Sequence, residues 1–147
     1  MIPKIIHVCW LSGESFPSVI LDCLDSWSKY LSDYDLYFWG KFPPHFDDYK
    51  ERFKSVRLCN FDISSTLWTK EAFEAKKYAF AADYIRLYAV YHYGGIYLDS
   101  DVIMYKSFDP LLSLPYFIGQ DQEGGFEPAI FGAEKECPWI KLILTHY

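Results

Sequence analysis

The sequence lacks the cysteine and histidine spacing of a zinc site. It has no Cys-x-x-Cys pair, and no histidine lies near a cysteine in metal-ligand spacing. We therefore expect buried thiols in a protein of a reducing compartment. The residues concerned are Cys9, Cys23, Cys59, Cys137, His7, His45, His92 and His146.

Runs of basic residues are also missing. The chain has 14 Lys and Arg against 20 Asp and Glu, a formal net charge of −6. Without a basic patch for the phosphate backbone, nucleic acid is not an expected partner. An acidic protein that binds an anionic phosphate ligand needs local positive charge, and a bound metal ion would supply it.

No apolar run approaches the ~20 residues that a membrane-spanning helix requires. The N-terminus opens directly into a strand pattern and shows no signal peptide. These absences predict a cytoplasmic location, with peripheral contact at the inner face of a membrane.

The composition favours one domain over residues 1–147, because 51% hydrophobic residues can form one core. Aromatic residues make up 20% of the chain. Tyrosine and tryptophan combine an apolar face with a hydrogen-bonding tip, as nucleotide and sugar sites require.

The hydrophobic pattern predicts an α/β fold. Residues 4–10 form an apolar strand pattern, residues 17–31 have helical spacing, and residues 35–39 form a second strand pattern. A strand, helix and strand within about forty residues favour a parallel sheet. Helices are also predicted at 47–53 and 138–147, and strands at 56–59, 116–120 and 129–132. Residues 66–93 are predicted to form two helices joined near Ala75 and Lys76. In the second of these, the residues expected to face the core are Phe80, Leu87, Val90 and Tyr91.

Asp99 and Asp101 follow an apolar strand that begins after Gly94-Gly95. Residues 102–105 are predicted to continue the strand, and alternation of side chains then places both carboxylates on the same face. Two like charges that close repel each other unless a cation or a proton lies between them. The pattern predicts a Mg²⁺ or Mn²⁺ site for a phosphorylated ligand, with a solvated acidic turn as the alternative.

Asp83 and Arg86 interrupt the apolar sequence of the preceding helix. Three residues apart, they are neighbours on the helix surface and could form a simple ion pair. Because the helix ends where the Asp99 strand begins, this pair could instead lie at the mouth of the same site.

Three segments in register resemble glycosyltransferase family 32, in the sugar-binding region that contains a DXD motif. They are residues 5–10 (IIHVCW), 77–87 (KYAFAADYIRL) and 93–101 (YGGIYLDSD). That family includes capsular-polysaccharide transferases and α-mannosyltransferases, and is distantly similar to clostridial glucosylating toxins. The resemblance spans residues 2 to about 133.

The resemblance implies a GT-A fold, a Rossmann-like domain with a mainly parallel sheet, and a role for each matched residue. Trp10 matches the tryptophan that stacks on the nucleotide base, although a core aromatic is the alternative. Asp83 and Arg86 match residues that hold the donor sugar, Asp99 matches the carboxylate near ribose and sugar, and Asp101 matches the metal ligand. Together with Asp99 as a second carboxylate at the metal, these form the expected catalytic and donor-binding set.

The implied reaction transfers a sugar from a UDP- or GDP-sugar to a saccharide or lipid-linked glycan, with Mn²⁺ or Mg²⁺. Retention of configuration and a role in surface or capsular polysaccharide synthesis are carried from the resemblance only. Two alternatives stay open. One is a non-catalytic nucleotide-sugar or metal-binding module, and the other is an Asp-x-Asp phosphohydrolase, whose pattern expects Thr or Val where this chain has Ile103.

The family's catalytic domain usually continues beyond the length of this chain. The apolar run at residues 140–144 has no visible helix stop before the chain ends. The sequence therefore predicts a C-terminal truncation, an exposed apolar patch at this run, and self-association through it.

Overall fold

The computed structural model describes residues 1–147 and confirms the initial strand, helix and strand. Strand β1 spans Ile5–Trp10, helix α1 spans Ser18–Tyr30 and strand β2 spans Asp35–Gly40. Each differs from its predicted bounds by one residue or less at either end. The apolar run of β1 and the helical spacing of α1 thus set these elements correctly.

The remaining elements follow the predicted order. Helix α3 (Leu67–Glu74) and helix α4 (Tyr78–Tyr93) are joined at residues 75–77, where Lys76 takes a φ of +57°, in agreement with the break predicted near Ala75 and Lys76. The elements are α2 (Asp47–Lys50), β3 (Ser55–Cys59), α3 (Leu67–Glu74), α4 (Tyr78–Tyr93), β4 (Gly95–Leu98), β5 (Tyr116–Gln120), β6 (Phe126–Ala133), α5 (Pro138–Leu144) and two 3-10 helices at Ile63–Ser65 and Asp109–Leu111.

The six strands form one sheet in the order β3-β2-β1-β4-β6-β5. The first four are parallel, whereas β6 is antiparallel to β4 and β5 is antiparallel to β6. The predicted mainly parallel sheet is therefore confirmed. Since β1 and β4 are neighbours, their carboxyl ends lie side by side, which is where open α/β sheets bind ligands.

Helices cover both faces of the sheet. On one face, Trp27 and Leu24 of α1 are in the core that contains Ile6 and Ile96. On the other face lie α3, α4 and α5, with Ile85 fully buried. No helix combines the length and the apolar character that crossing a membrane would need.

Gly94 and Gly95 form the tight connection from α4 to β4. Gly94 ends the helix with a φ of +68°, in agreement with the predicted glycine stop. Gly95 has a φ of +111°, and a Cβ there would lie 2.7 Å from the carbonyl oxygen of Ile5. Only glycine therefore lets β4 pair closely with β1.

Two predictions about local structure are wrong. Phe80 is 48% exposed instead of lying in the core. Residues 102–105 do not continue β4, because the backbone at Val102 and Met104 is hydrogen-bonded to the α1 side chains of Trp27 (2.7 Å) and Ser26 (2.9 Å). The last helix begins at Pro138, as predicted, and ends at Leu144; within its apolar run Ile140 is buried and Leu142 is 63% exposed.

Candidate donor-binding site

A cleft of about 420 Å³ lies at the carboxyl ends of β1 and β4, with α4 as one wall. All five residues singled out from the sequence line it: Trp10, Asp83, Arg86, Asp99 and Asp101. They are up to 91 positions apart in the chain, so the fold is what brings them together. Their roles in binding stay predictions.

The two carboxylates of the Asp-x-Asp pattern lie in a turn, so the predicted strand alternation does not apply to them. Strand β4 ends at Leu98, and the Val102 N–H donates to the Asp99 carbonyl oxygen at 3.1 Å. The Asp99 N–H donates to the Ala129 carbonyl oxygen of β6 at 2.9 Å, which anchors the turn to the sheet. Asp101 is exposed and Asp99 is half-buried. The alternative of an acidic turn is therefore correct for the backbone, although both residues line the cleft.

Tyr97 holds the Asp99 carboxylate in place. Its hydroxyl donates to Asp99 Oδ1 at 2.7 Å. Burial raises the pKa of Asp99, the Tyr97 hydrogen bond and Arg86 oppose that shift, and the neighbouring Asp101 charge adds to it. The sequence reasoning did not single out Tyr97, because a tyrosine in an apolar strand gives no separate signal that its hydroxyl meets the carboxylate two residues later.

Asp83 and Arg86 form an ion pair and also line the cleft, so the ion pair and the position at the mouth of the site occur together. Arg86 Nη2 lies 3.3 Å from Asp83 Oδ1, and the Arg86 side chain is only 16% exposed. The buried Nε of Arg86 has no hydrogen-bond partner. Burial raises the pKa of Asp83 and the Arg86 charge opposes that rise. The pair therefore has hydrogen-bonding capacity left for a polar ligand.

Trp10 is oriented by its own loop. Its indole N–H donates to the Glu14 carbonyl oxygen at 2.8 Å, and its ring packs edge-to-face on Phe16 with centroids 4.7 Å apart. The ring also contacts the main core while bordering the cleft. The Trp10 ring thus borders both the core and the cleft, and these contacts fix the orientation of the ring plane.

The carboxylates of Asp99 and Asp101 suit a hard divalent cation. The protein has no group of three or more His, Cys, Asp or Glu side chains that could hold a metal ion alone. Mg²⁺ and Mn²⁺ are commonly bound by one or two carboxylates, with water and substrate phosphates as the other ligands. The Asp101 charge raises the pKa of the neighbouring Asp99, so a cation between the two carboxylates would relieve their repulsion, and the pair fits such an ion.

His7 belongs to β1, the strand between β2 and β4, and its side chain is fully buried. The Trp39 indole N–H donates to His7 Nδ1 at 3.0 Å, so the proton of the neutral ring is on Nε2, which donates to the Gly94 carbonyl oxygen at 2.8 Å. Burial lowers the pKa of His7 to about 4. This neutral ring links β1 and β2 to the connection that leads into β4.

Residues 17–118 match the family model described as "Glycosyltransferase sugar-binding region containing DXD motif". The chain belongs to this family. The match includes the α4 pair and the Asp99–Asp101 turn, whereas Trp10 lies before it. Membership in the family agrees with the resemblance drawn from the three segments.

Several proteins are similar to this chain over much of its length. Inositol phosphoceramide mannosyltransferase 3 of Schizosaccharomyces pombe is 29% identical over 99% of the chain, which corresponds to 37% of that relative. Mannosyl phosphorylinositol ceramide synthase CSH1 of Saccharomyces cerevisiae is 34% identical over 54% of the chain and 22% of the relative. The chain thus spans well under half the length of these relatives.

The solved structure of PaToxG Glycosyltransferase superposes with a TM-score of 0.66 at 23% sequence identity. The match covers 98% of this chain and 58% of that chain. The likeness confirms the predicted GT-A type of α/β fold.

Proposed function

We propose that the protein transfers a sugar from a nucleoside-diphosphate sugar to a hydroxyl group of a saccharide or glycolipid acceptor. One observation carries the proposal: an oriented tryptophan, a half-buried Asp–Arg pair and two carboxylates line a single cleft at the strand ends. An aromatic face suits a base, the Asp–Arg pair suits sugar hydroxyls, and the carboxylates suit a metal with a diphosphate.

In the transfer, the bond from the sugar's anomeric carbon to the diphosphate oxygen breaks, and its electron pair stays on the diphosphate. The acceptor oxygen bonds to the same carbon, and its proton passes to the departing diphosphate, which leaves with the electron pair. Asp83 and Arg86 hold the sugar in the orientation that this exchange requires, which lowers the entropic part of the barrier. Trp10 fixes the other end of the donor.

Asp101, with Asp99, would hold Mn²⁺ or Mg²⁺, and that ion when bound supplies positive charge where the leaving diphosphate becomes more negative. The acidic net charge of −6 supports this part of the proposal, because the protein offers few cations of its own to a diphosphate. The Tyr97 hydroxyl positions Asp99 for that task.

The names of the relatives support a narrower proposal. Since two relatives are named as enzymes that attach mannose to inositol phosphoceramide, we propose a hexosyl donor of the UDP- or GDP-sugar class and a glycolipid acceptor. We also propose retention of configuration and a role in surface or capsular polysaccharide synthesis, both implied by the family resemblance, and a cytoplasmic location at the inner face of a membrane.

A turnover assay tests the proposal as a whole. Thermal-shift screening of nucleoside diphosphates and nucleotide sugars, with and without manganese, identifies the donor, because a ligand that binds only the folded protein raises its melting temperature. Release of nucleoside diphosphate in the presence of that donor and an acceptor then measures transfer. Donor binding without any release would show a non-catalytic binding module instead.

The Asp83–Arg86 pair should distinguish a nucleotide sugar from the bare diphosphate. We expect Asp83→Ala and Arg86→Ala each to weaken nucleotide-sugar binding about tenfold or more, the loss of hydrogen bonds to a charged partner. The affinity for the nucleoside diphosphate, which has no sugar hydroxyls, should stay nearly unchanged. Titration calorimetry measures both ligands, with Arg52→Ala, an exposed arginine paired to Asp25, as the control. Equal losses for the two ligands would contradict the assignment.

Trp10→Ala should weaken the binding of every ligand that carries the base. Stacking of a base on an aromatic ring contributes about 1–3 kcal/mol, or roughly 5- to 150-fold in affinity. The free sugar and inorganic diphosphate should bind as before. If instead the melting temperature of the unliganded variant falls while the folded fraction keeps its affinity, Trp10 has a core role only.

A further inference from the structure

A second cavity of about 610 Å³ lies next to the donor-binding cleft. Its walls come from α4, β5, β6 and α5, and eight of its ten lining residues are hydrophobic. Aromatic side chains dominate the lining, among them Tyr116, Phe126, Phe131 and Trp139. We call this cavity the apolar groove.

The apolar groove and the donor-binding cleft share one side chain, Arg86. In a transfer reaction, the acceptor oxygen must come within about 3–3.5 Å of the reacting carbon. The site for the acceptor must therefore open toward the end of the donor that carries the sugar. The apolar groove meets this condition, because the residue proposed to hold the sugar also forms its wall.

The lining favours an occupant that is apolar along most of its length and polar at one end. Arg86 is the single charged residue of the lining, and no carboxylate faces the groove. A free saccharide would meet few hydrogen-bonding groups there, whereas a hydrocarbon chain would bury apolar surface. Phe126 is 82% exposed at the rim, so an occupant would cover it. The volume lies within the range of sites for small molecules.

We propose that the apolar groove binds the hydrocarbon part of an amphiphilic acceptor, with the acceptor's hydroxyl-bearing head beside Arg86. This inference rests on the proposed function and names the acceptor as a glycolipid bearing an alkyl chain. The hydrocarbon chain anchors the acceptor in the groove, and Arg86, which also lines the donor-binding cleft, meets the polar or anionic head group.

The test follows tryptophan indole signals by NMR while the 147-residue chain is titrated with n-octyl β-D-glucoside below its micelle-forming concentration. Trp139 lines the groove, Trp10 lines the donor-binding cleft and Trp27 is fully buried in the core. We expect the Trp139 signal to shift and the other two to stay in place. Glucose, which has the same head without the chain, should leave all three signals unchanged.

Two matched variants place the binding in the groove. Phe126→Ser should weaken octyl glucoside binding about fivefold or more, since part of an aromatic contact surface is removed. Tyr105→Ser, which removes a 77% exposed aromatic ring outside both cavities, should leave binding unchanged. Equal dissociation constants for the two variants, or no shift of Trp139, would overturn the proposal.

Two further outcomes distinguish acceptor binding in the groove from self-association and from donor binding. A Trp139 signal that changes on dilution without any ligand, and no longer does so in Phe126→Ser, would show that a second copy of the chain occupies the groove, and would overturn the proposal. A titration with nucleoside diphosphate tests the donor separately, because it should shift Trp10 and not Trp139. Failure of that titration with a positive octyl glucoside result would contradict the proposed function while supporting the groove.

Discussion

Replacement of Asp101 by Asn is expected to remove the manganese dependence of donor binding and to slow transfer by about 100-fold or more. Asparagine keeps the shape of the side chain but lacks the negative charge that a hard cation requires. Asp101 is exposed, and its side chain makes no hydrogen bond or ion pair within the protein, so the fold should be unaffected.

The measurement compares nucleotide-sugar affinity with and without Mn²⁺ for the wild type and the variant, together with the melting temperature of each. Asp48→Asn, an exposed carboxylate on α2 away from the cleft, is the matched control and should behave as the wild type. An Asp101→Asn protein that binds the donor with the same dependence on manganese would show that the carboxylate does not hold the ion.

Acid should destabilise the fold through His7. Burial lowers the pKa of His7 to about 4 in the folded protein, against about 6.5 in the unfolded chain. Between these values the unfolded chain binds a proton that the folded protein does not, so the free energy of unfolding falls as the pH falls from 6.5 to 4. The full shift amounts to about 3 kcal/mol, which is a large part of the stability of a small domain.

The hydrogen bonds of His7 explain why its protonation destabilises the folded protein. In a protonated ring both nitrogens carry an N–H group. The new N–H at Nδ1 would point at the Trp39 indole N–H, from which Nδ1 accepts a hydrogen bond in the neutral ring. Denaturant unfolding at pH 7, 5 and 4 (about the range set by the two pKa values) should show a steeper loss in the wild type than in His7→Gln. Exposed His146→Gln should retain the wild-type slope. Direct NMR titration of the His7 ring checks the same point without a variant, and a pKa near 6.5 would contradict it.

Protonation of His7 destabilises the folded protein, whereas protonation of the cleft carboxylates stabilises it. Burial raises the pKa of Asp83 and of Asp99, so protonation of these two groups occurs more readily in the folded protein and favours it at low pH. The comparison of the wild type with His7→Gln removes their contribution, because both proteins contain them.

The parallel strands of the sheet, and the edge of the sheet where the cleft lies, could be predicted from the sequence. Continuous apolar runs marked β1 and β2, the helical spacing marked α1, and the glycine pair marked the end of α4. Because these patterns arise from burial and backbone freedom, they persist in the sequence as local signals. The position of Trp10 at the end of β1 was then enough to place it at the ligand-binding edge.

The turn at Asp99 could not be predicted, because distant residues determine it. Apolar residues after Asp101 resemble a strand, but Trp27 and Ser26 of α1 bind the backbone there. The Phe80 prediction failed for a related reason: the residue lies on the apolar helix α4, but its ring packs at the surface on Trp68 of α3 (centroids 6.3 Å apart), which leaves it 48% exposed. Hydrophobic periodicity indicates which residues can be buried, and tertiary packing decides which of them are.

Strand β6 joins the Asp99–Val102 turn to the apolar groove. Its Ala129 carbonyl oxygen accepts the Asp99 N–H, and its Phe131 side chain forms a wall of the groove. A molecule that restrains β6 from the groove side therefore restrains the turn as well, and thermodynamic reciprocity requires the converse. We therefore expect the donor and the acceptor of the proposed transfer to bind with positive coupling, because each would restrain part of the same strand.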